Sequence, residues 1–275
     1  MQIIKADEVF NLEPRGLKYH DYFLIIQSGH NYGSDIYVKN KVKAVQEYTD
    51  VIPQVVNVEP GNKHFLKSLV ATAANDVDCI GIMPQLPLEG FDEAFTESII
   101  NDIPSDKDVD GLKGSESSYI PATVRGVLKF IQHINGGERD LKGQNVLILG
   151  RSREVGRPLA HILSDKNYKY NATVTLAHSQ SNVEELCANP MYKYIISAIG
   201  KPLFIKKVPD GCNCIDVGIS KIEDTTKKSG FRTVGDFDPD CIQNAATWTS
   251  VPGGCGPMTI KCLMENINDA FFIKH

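Results

Sequence analysis

Apolar positions along the chain follow two alternating patterns. Short unbroken runs rich in β-branched residues end at Gly, Ser or Pro, and each is followed by a stretch whose apolar residues fall three and four apart. The first pattern predicts buried strands and the second helices with one packed face. Residues 22–27 (YFLIIQ) form the first strand, closed by Ser28 and Gly29. A turn at residues 30–33 leads to Ser34 and Asp35, both good N-cap types, and a helix is expected through residues 36–48. Strand 51–58, helix 62–75 with apolar positions at Phe65, Leu66, Leu69 and Val70, strand 79–83 and helix 91–100 follow in turn. Residues 1–21 leave room for one brief element. A Gly/Ser-rich stretch around 108–118 breaks the rhythm, and a helix at about 123–134 resumes it. Strands are then expected at 145–149, 172–177, 194–199, 213–217 and 247–250, with a Pro/Gly loop and an apolar helix from about 259 to 272 closing the chain. Strands alternating with helices predict an α/β fold with parallel sheets.

Composition narrows the class. With 275 residues, 42% hydrophobic and 23% charged, the chain has room for two modest domains and an ample core. A net charge of −5 and a pI near 5.8 argue against nucleic acid or an anionic membrane as the main partner. No apolar run approaches the ~18 residues that span a bilayer, and the N-terminus lacks a signal-peptide pattern, so a soluble protein is expected. The seven cysteines form no C-x-x-C pair and suggest neither zinc nor disulfides, which points to a reducing compartment and no metal. Cys212 and Cys214 read as small core residues.

The stretch 145–158 (NVLILGRSREVGRP) carries the first chemistry. An apolar strand runs into Gly150, a polar turn, Gly156 and a helical pattern through Val155, Leu159, Ile162 and Leu163. Glycines admit a ligand close to the backbone, while the free N–H groups and dipole of a helix N-terminus attract phosphate. The middle glycine of G-x-G-x-x-G is absent, so the spacing alone is a weak signal. An NAD site would place an acid on the ribose at the end of the next strand, roughly 20 residues on. That strand instead ends in His178-Ser179-Gln180-Ser181, with no acid before Glu184, while Arg151 and Arg153 sit in the turn. Arginine and hydroxyls suit a 2′-phosphate, which favours NADP over NAD.

Other candidates are weaker alone. Tyr37 and Lys41 share a helix face, but Lys39 and Lys43 flank Lys41 as ordinary solvated lysines do. Gln85 falls just past a buried strand, where α/β sheets place ligands. Asp108 and Asp110 sit in a turn-forming D-x-D-G. The loop 251–259 (VPGGCGPMT) has three glycines and two prolines, more than a simple connection needs, and fits backbone lying against a flat ligand. His178 reads as a strand-end residue without a catalytic part.

Taken together, the stretches 34–41 (SDIYVKNK), 84–88 (PQLPL), 107–111 (KDVDG), 150–158, His178-Ser179, 215–219 (IDVGI), Gly235-Asp236 and 251–259 resemble the methylenetetrahydrofolate dehydrogenase/methenyltetrahydrofolate cyclohydrolase family, in its order and over nearly the whole chain. The resemblance implies two α/β domains with a cleft between them. Residues 1–120, completed by the C-terminal helix 258–275, would be the folate-binding catalytic domain, and 121–257 an NADP-binding Rossmann-type domain. It implies that Lys41 is the catalytic residue, that Gln85 positions it, that Tyr37 lines the pterin site, and that Asp110 anchors the pterin. Pro252, Gly253 and Gly254 would complete the substrate site. Cofactor contacts would fall on Gly150, Arg151, Ser152, Val155, Gly156, His178, Ser179 and Ile219, with Arg151 and Ser179 at the 2′-phosphate. The implied function is NADP-dependent oxidation of 5,10-methylenetetrahydrofolate and hydrolysis of the product to 10-formyltetrahydrofolate, by a cytoplasmic homodimer in the one-carbon metabolism that feeds purine biosynthesis.

The chain departs from the family in a shorter N-terminus and in residues 112–126 (LKGSESSYIPATVRG), where Ala122 and Val124 replace a Cys and a Pro. Two rival readings remain. An amino-acid or shikimate-type dehydrogenase would share the Rossmann-type unit, but would leave the 251–259 loop beside Tyr37-x-x-x-Lys41 unexplained. A catalytically silent binding protein is disfavoured by intact Lys41, Gln85 and Asp110.

Overall fold

The structure, a computed structural model, describes residues 1–275 apart from 16–19, 30, 31 and 228, with the backbone alone at 32–34. The expected turn residues His30 and Asn31 and the Ser34 side chain therefore lie outside the described residues. Two compact units are present, one of residues 12–122 with 260–275, the other of 1–11 with 123–259.

The first unit is built on a three-stranded parallel sheet in the order β3-β2-β4, where β2 is Tyr22–Ser28, β3 Ile52–Val58 and β4 Cys79–Pro84. Strands β2 and β4 are almost wholly buried, which is why they read as unbroken apolar runs. Edge strand β3 leaves Ile52 and Val55 exposed. The connecting helices are α2 (Tyr32–Tyr48), α3 (Lys63–Asn75) and α4 (Glu93–Asp102). Side-chain oxygens of Asn62 and Asp92 cap α3 and α4 by accepting from the N–H of Phe65 and Phe95. Leu66, Val70 and Ala73 of α3 and Ile99 of α4 pack with Leu24, Ile26 and Ile82 of the sheet into one core. Helix α2 begins before the Ser34-Asp35 caps expected for it, so Asp35 lies in its first turn, where its carboxylate accepts from the Gln27 amide.

In the second unit a six-stranded parallel sheet runs β1-β11-β8-β7-β5-β6. Its strands are β1 (Gln2–Ile4), β5 (Asn145–Leu149), β6 (Thr173–Ala177), β7 (Tyr192–Ser197), β8 (Asn213–Asp216) and β11 (Thr247–Thr249). Helix α5 (Ala122–Ile134) precedes β5, α6 (Gly156–Ser164) links β5 to β6, and α7 (Val183–Ala188) links β6 to β7. A hairpin of β9 (Ser220–Glu223) and β10 (Phe231–Val234) follows β8. Cys212 and Cys214 are buried in this core with their sulfurs 3.5 Å apart, as small apolar side chains.

The N-terminus differs from expectation. Residues 1–11 hold two brief elements, β1 and α1 (Ala6–Val9), where the sequence suggested one. They belong to the second unit, not to a first domain starting at residue 1, because β1 pairs in parallel with β11. The last helix, α8 (Cys255–Lys274), starts four residues before the expected position, so half of the Pro/Gly loop is its first turn, where Pro257 is tolerated. The unit boundary falls within α8, after Thr259.

Candidate active site

In the first unit the strand order places a switch point at the C-terminal ends of β2 and β4, since β3 lies on one side of β2 and β4 on the other. Such a point is where open α/β sheets bind ligands. Lys41 and Gln85 both arrive there, Lys41 from α2 and Gln85 as the first residue past β4. Lys41 belongs to the packed face of α2, in line with buried Val38 and Val45, and is itself only 7% exposed, while Lys39 and Lys43 point to solvent.

The Lys41 Nζ lies 3.2 Å from Gln85 Oε1, 3.1 Å from Met83 Sδ and 3.9 Å from Asp110 Oδ2. Gln85 is fixed from its other end, where Nε2 donates to the Leu86 carbonyl at 3.1 Å, so its oxygen faces the lysine. Burial lowers the Lys41 pKa because the ammonium has lost water and faces an uncharged thioether and amide; the Asp110 charge opposes this in part. Burial likewise raises Asp110, opposed by Lys41. The group is a buried amine with one anionic partner 3.9 Å away, and burial disfavours its charged form. Tyr37 lies one turn earlier on the same helix, half-buried, with its hydroxyl pKa raised by burial.

Asp110 is placed by a fully buried scaffold that sequence reasoning passed over. The Lys107 carbonyl accepts from the Ile82 N–H at 2.9 Å, so this segment runs beside β4. Asp108 accepts from the N–H groups of Leu112 (2.9 Å) and Lys113 (2.8 Å), and burial pushes its carboxyl up to about 6. Asn266 of α8, fully buried, donates to the carbonyls of Val109 (2.8 Å) and Ile120 (3.0 Å). A lone Asn in an otherwise apolar helix stripe was the available signal. The start of the 112–126 segment that departs from the family pattern is thus held at Val109 before it and at Ile120 within it.

In the second unit β6 lies on one side of β5 and β7 on the other, giving a second switch point just past Gly150. A Cβ on Gly150 would lie 2.6 Å from the Ala198 carbonyl oxygen, and one on Gly156 would lie 1.9 Å from the Gly150 carbonyl oxygen. Only glycines let the turn sit against β7 and the first turn of α6 close over it. The Ser152 hydroxyl accepts from the Val155 N–H at 3.1 Å, shaping the same turn. Arg151 and Ser152 are exposed, and Val155 is half-buried. At the end of β6, His178 Nδ1 accepts from the Gln180 N–H (3.2 Å) and its own N–H donates to Ser181 (3.1 Å), so the ring shapes the strand-end turn and leaves Ser179 exposed. Ile219 is exposed beyond β8. This cradle fits a dinucleotide with a 2′-phosphate: backbone accessible at the glycines, a helix N-terminus beside it, Arg151 in the turn, and Ser179 past the end of β6 where an NAD site has an acid.

Pro252, Gly253 and Gly254 belong to this second unit, whereas Tyr37, Lys41, Gln85 and Asp110 belong to the first. The Gly253 carbonyl accepts from the Ala6 N–H at 2.9 Å, and the Gly254 N–H donates to Ser250 at 2.7 Å, which starts α8.

Comparison with known proteins shows what each stretch of the chain is similar to. Residues 5–110 match the catalytic domain of tetrahydrofolate dehydrogenase/cyclohydrolase, and residues 121–275 its NAD(P)-binding domain. The chain is 36% identical to the bifunctional protein FolD of Bacteroides thetaiotaomicron, over 95% of this chain and 90% of that protein. The crystal structure of the bifunctional FolD enzyme from Campylobacter jejuni superposes with a TM-score of 0.78 at 31% identity, covering 93% of this chain and 89% of that one. That of Trypanosoma brucei FolD, complexed with NADP cofactor and inhibitor, gives 0.79 at 27% identity over 92% and 87%.

Proposed function

The chain belongs to the tetrahydrofolate dehydrogenase/cyclohydrolase family, and from that premise we infer that it oxidises 5,10-methylenetetrahydrofolate with NADP and hydrolyses the product to 10-formyltetrahydrofolate. Lys41, a buried amine held between Gln85, Met83 and Asp110, carries this assignment.

NADP, when bound, would supply the acceptor for the hydride of the substrate's bridging carbon, and the two nitrogens flanking that carbon would stabilise the cation left behind. No protein base is required in that step, so the residues contribute by positioning. Tyr37 offers a half-buried ring to the pterin and Asp110 a carboxylate to its N–H groups. Gly150, Arg151, Ser152, Val155, Gly156, His178, Ser179 and Ile219 hold the nucleotide.

Hydrolysis needs proton handling, and there Lys41 acts. Water adds to the methenyl carbon and gives up a proton to the neutral amine. The bond from that carbon to N5 then breaks, N5 takes a proton, and the formyl group stays on N10; one proton is released overall. The amine must be uncharged to begin, which burial and the adjacent cationic substrate both favour. Gln85 aims it and Asp110 keeps its affinity for the proton high enough to receive one.

The test is a coupled assay of the purified protein with 5,10-methylenetetrahydrofolate and NADP, following reduced nucleotide and methenyl intermediate separately. Nucleotide reduction without methenyl build-up is expected; no reduction with NADP or NAD would sink the assignment. The protein is further proposed to be a cytoplasmic homodimer. Free cysteines support the compartment. Among the described residues β3 is paired on one side only and exposes Ile52 and Val55, a surface suited to a second copy; sedimentation at twice the chain mass is expected.

A further inference from the structure

Two aspartates of the second unit have no part in the chemistry above. Asp216 ends β8 and Asp236 follows β10, and both are fully buried. Asp216 Oδ1 accepts from the N–H of Gly218 at 3.1 Å and of Asp236 at 3.0 Å, and its Oδ2 accepts from Phe237 at 3.2 Å. Gly218 leads into the β9–β10 hairpin while Asp236 and Phe237 leave it, so one carboxylate gathers both legs of the hairpin. Asp236 Oδ2 in turn accepts from the Ser197 hydroxyl (2.7 Å) and the N–H groups of Ile199 (2.9 Å) and Gly200 (3.3 Å). That is the turn after β7, whose Ala198 carbonyl abuts Gly150.

The fit leaves no slack. A Cβ on Gly218 would lie 2.1 Å from Asp236 Oδ1, and one on Gly235 would lie 1.9 Å from Asp216 Oδ2. Asp236 Oδ1 is buried without a hydrogen-bond partner. Two neighbouring carboxylates out of water are costly, and burial with the nearby Asp236 charge pushes Asp216 up to about 7. A loop that needed only to be closed could use Ser or Asn. Six donors converging on two acids instead join three chain segments rigidly, through charge-assisted bonds that are about twice as strong as neutral ones.

Those segments occupy one half of the nucleotide site. If the pyrophosphate sits at the Gly150 turn and the 2′-phosphate at Ser179 beyond β6, the other half of the dinucleotide extends over β7 and β8, on the opposite side of β5. We propose that Asp216 and Asp236 are positioning residues for the nicotinamide half of NADP, acting through the backbone of turns 198–200 and 217–219 that they lock together. The proposal rests on the NADP reading and adds a division of labour within the site.

The experiment compares Asp236→Ala, Asp236→Asn and Ser197→Ala with the parent protein. Binding is read by fluorescence for NADPH and by its displacement for adenosine 2′,5′-bisphosphate, which has the phosphorylated adenosine half and no nicotinamide. The bisphosphate reports whether the mutated unit is folded, and cyclohydrolase activity on added methenyltetrahydrofolate, whose proton-handling residues Lys41, Gln85 and Asp110 lie in the other unit, reports on that unit. Asp236→Ala is expected to weaken NADPH at least tenfold while the bisphosphate and the cyclohydrolase stay within twofold. Asp236→Asn keeps an oxygen for Ser197, Ile199 and Gly200 without the charge, and should restore part of the affinity, leaving it between Asp236→Ala and the parent. Should Asp236→Ala fail to fold, Ser197→Ala still tests the link, with a threefold or greater loss for NADPH alone. Unchanged NADPH affinity, or equal losses for NADPH and the bisphosphate, overturns the proposal. Failure of the parent protein to bind NADPH would instead remove the cofactor reading itself.

Discussion

Replacing Gly156 with Ala adds one methyl group where the structure has no room for it. The new Cβ would lie 1.9 Å from the Gly150 carbonyl oxygen, 2.7 Å from its carbon and 3.0 Å from the Arg151 Cα. All three are backbone atoms, so no side-chain rotation relieves the clash. Restoring 3.0 Å to the oxygen requires α6 to withdraw from the turn by about 1.1 Å. The strain itself should cost about 1–3 kcal/mol of stability, as overpacking does. The functional effect is larger, because the helix N-terminus and the Gly150 backbone are the phosphate cradle, and a displacement of 1 Å can reduce catalysis on the order of 10²-fold. Dehydrogenase kcat/KM for NADP is therefore expected to fall about a hundredfold, mostly through KM. Hydrolysis of added methenyltetrahydrofolate, which uses Lys41 in the other unit, should stay near the parent rate. A KM for NADP within twofold of the parent would refute the placement of the cofactor at this turn.

Three further outcomes follow from the geometry. Asp110→Asn removes the anion 3.9 Å from Lys41 that opposes the effect of burial, so the Lys41 pKa falls further and the acid limb of the cyclohydrolase pH–rate profile should move to lower pH; an upward shift would contradict the pairing. Arg151→Ala should raise KM for NADP about tenfold or more, in line with loss of a hydrogen bond to a charged group, and leave KM for NAD unchanged; equal effects on both would place Arg151 away from the 2′-phosphate. Asn266→Ala orphans the carbonyls of Val109 and Ile120 and should cost about 1–3 kcal/mol in chemical denaturation, with a weakened cyclohydrolase because the Asp110 segment loosens.

What the sequence discloses follows from how each element is stabilised. Strands β2, β4 and β5 are buried on both faces, so each is an unbroken apolar run that local pattern reveals. The β9–β10 hairpin is largely exposed and carries Lys221, Glu223 and Arg232 among few apolar residues, so no periodicity marks it. Strand β1 is three residues long and exists because of a partner at Thr247–Thr249, a pairing no local window contains. The 251–259 stretch misled because Gly and Pro look like loop, whereas Pro in a first helical turn loses no hydrogen bond. Lys41 stood among other lysines, and family resemblance singled it out. Yet its spacing from Val38 and Val45 set it on the packed face of α2 while Lys39 and Lys43 fell outside, which is a signal the sequence held. Asp216, Asp236 and Asn266 are harder to detect, since their roles lie in distant N–H and carbonyl groups that only the fold brings to them.

The most direct measurement is the coupled assay on Lys41→Met, which keeps the apolar stem and removes the amine. Supplied with 5,10-methylenetetrahydrofolate and NADP, the variant should still reduce the nucleotide, because hydride loss needs no protein base. Methenyltetrahydrofolate should accumulate, with hydrolysis slowed by about 10²–10⁴-fold as expected for loss of a general acid–base group. A variant that reduces NADP and hydrolyses the methenyl product at the parent rate would show that Lys41 is not the proton-handling group.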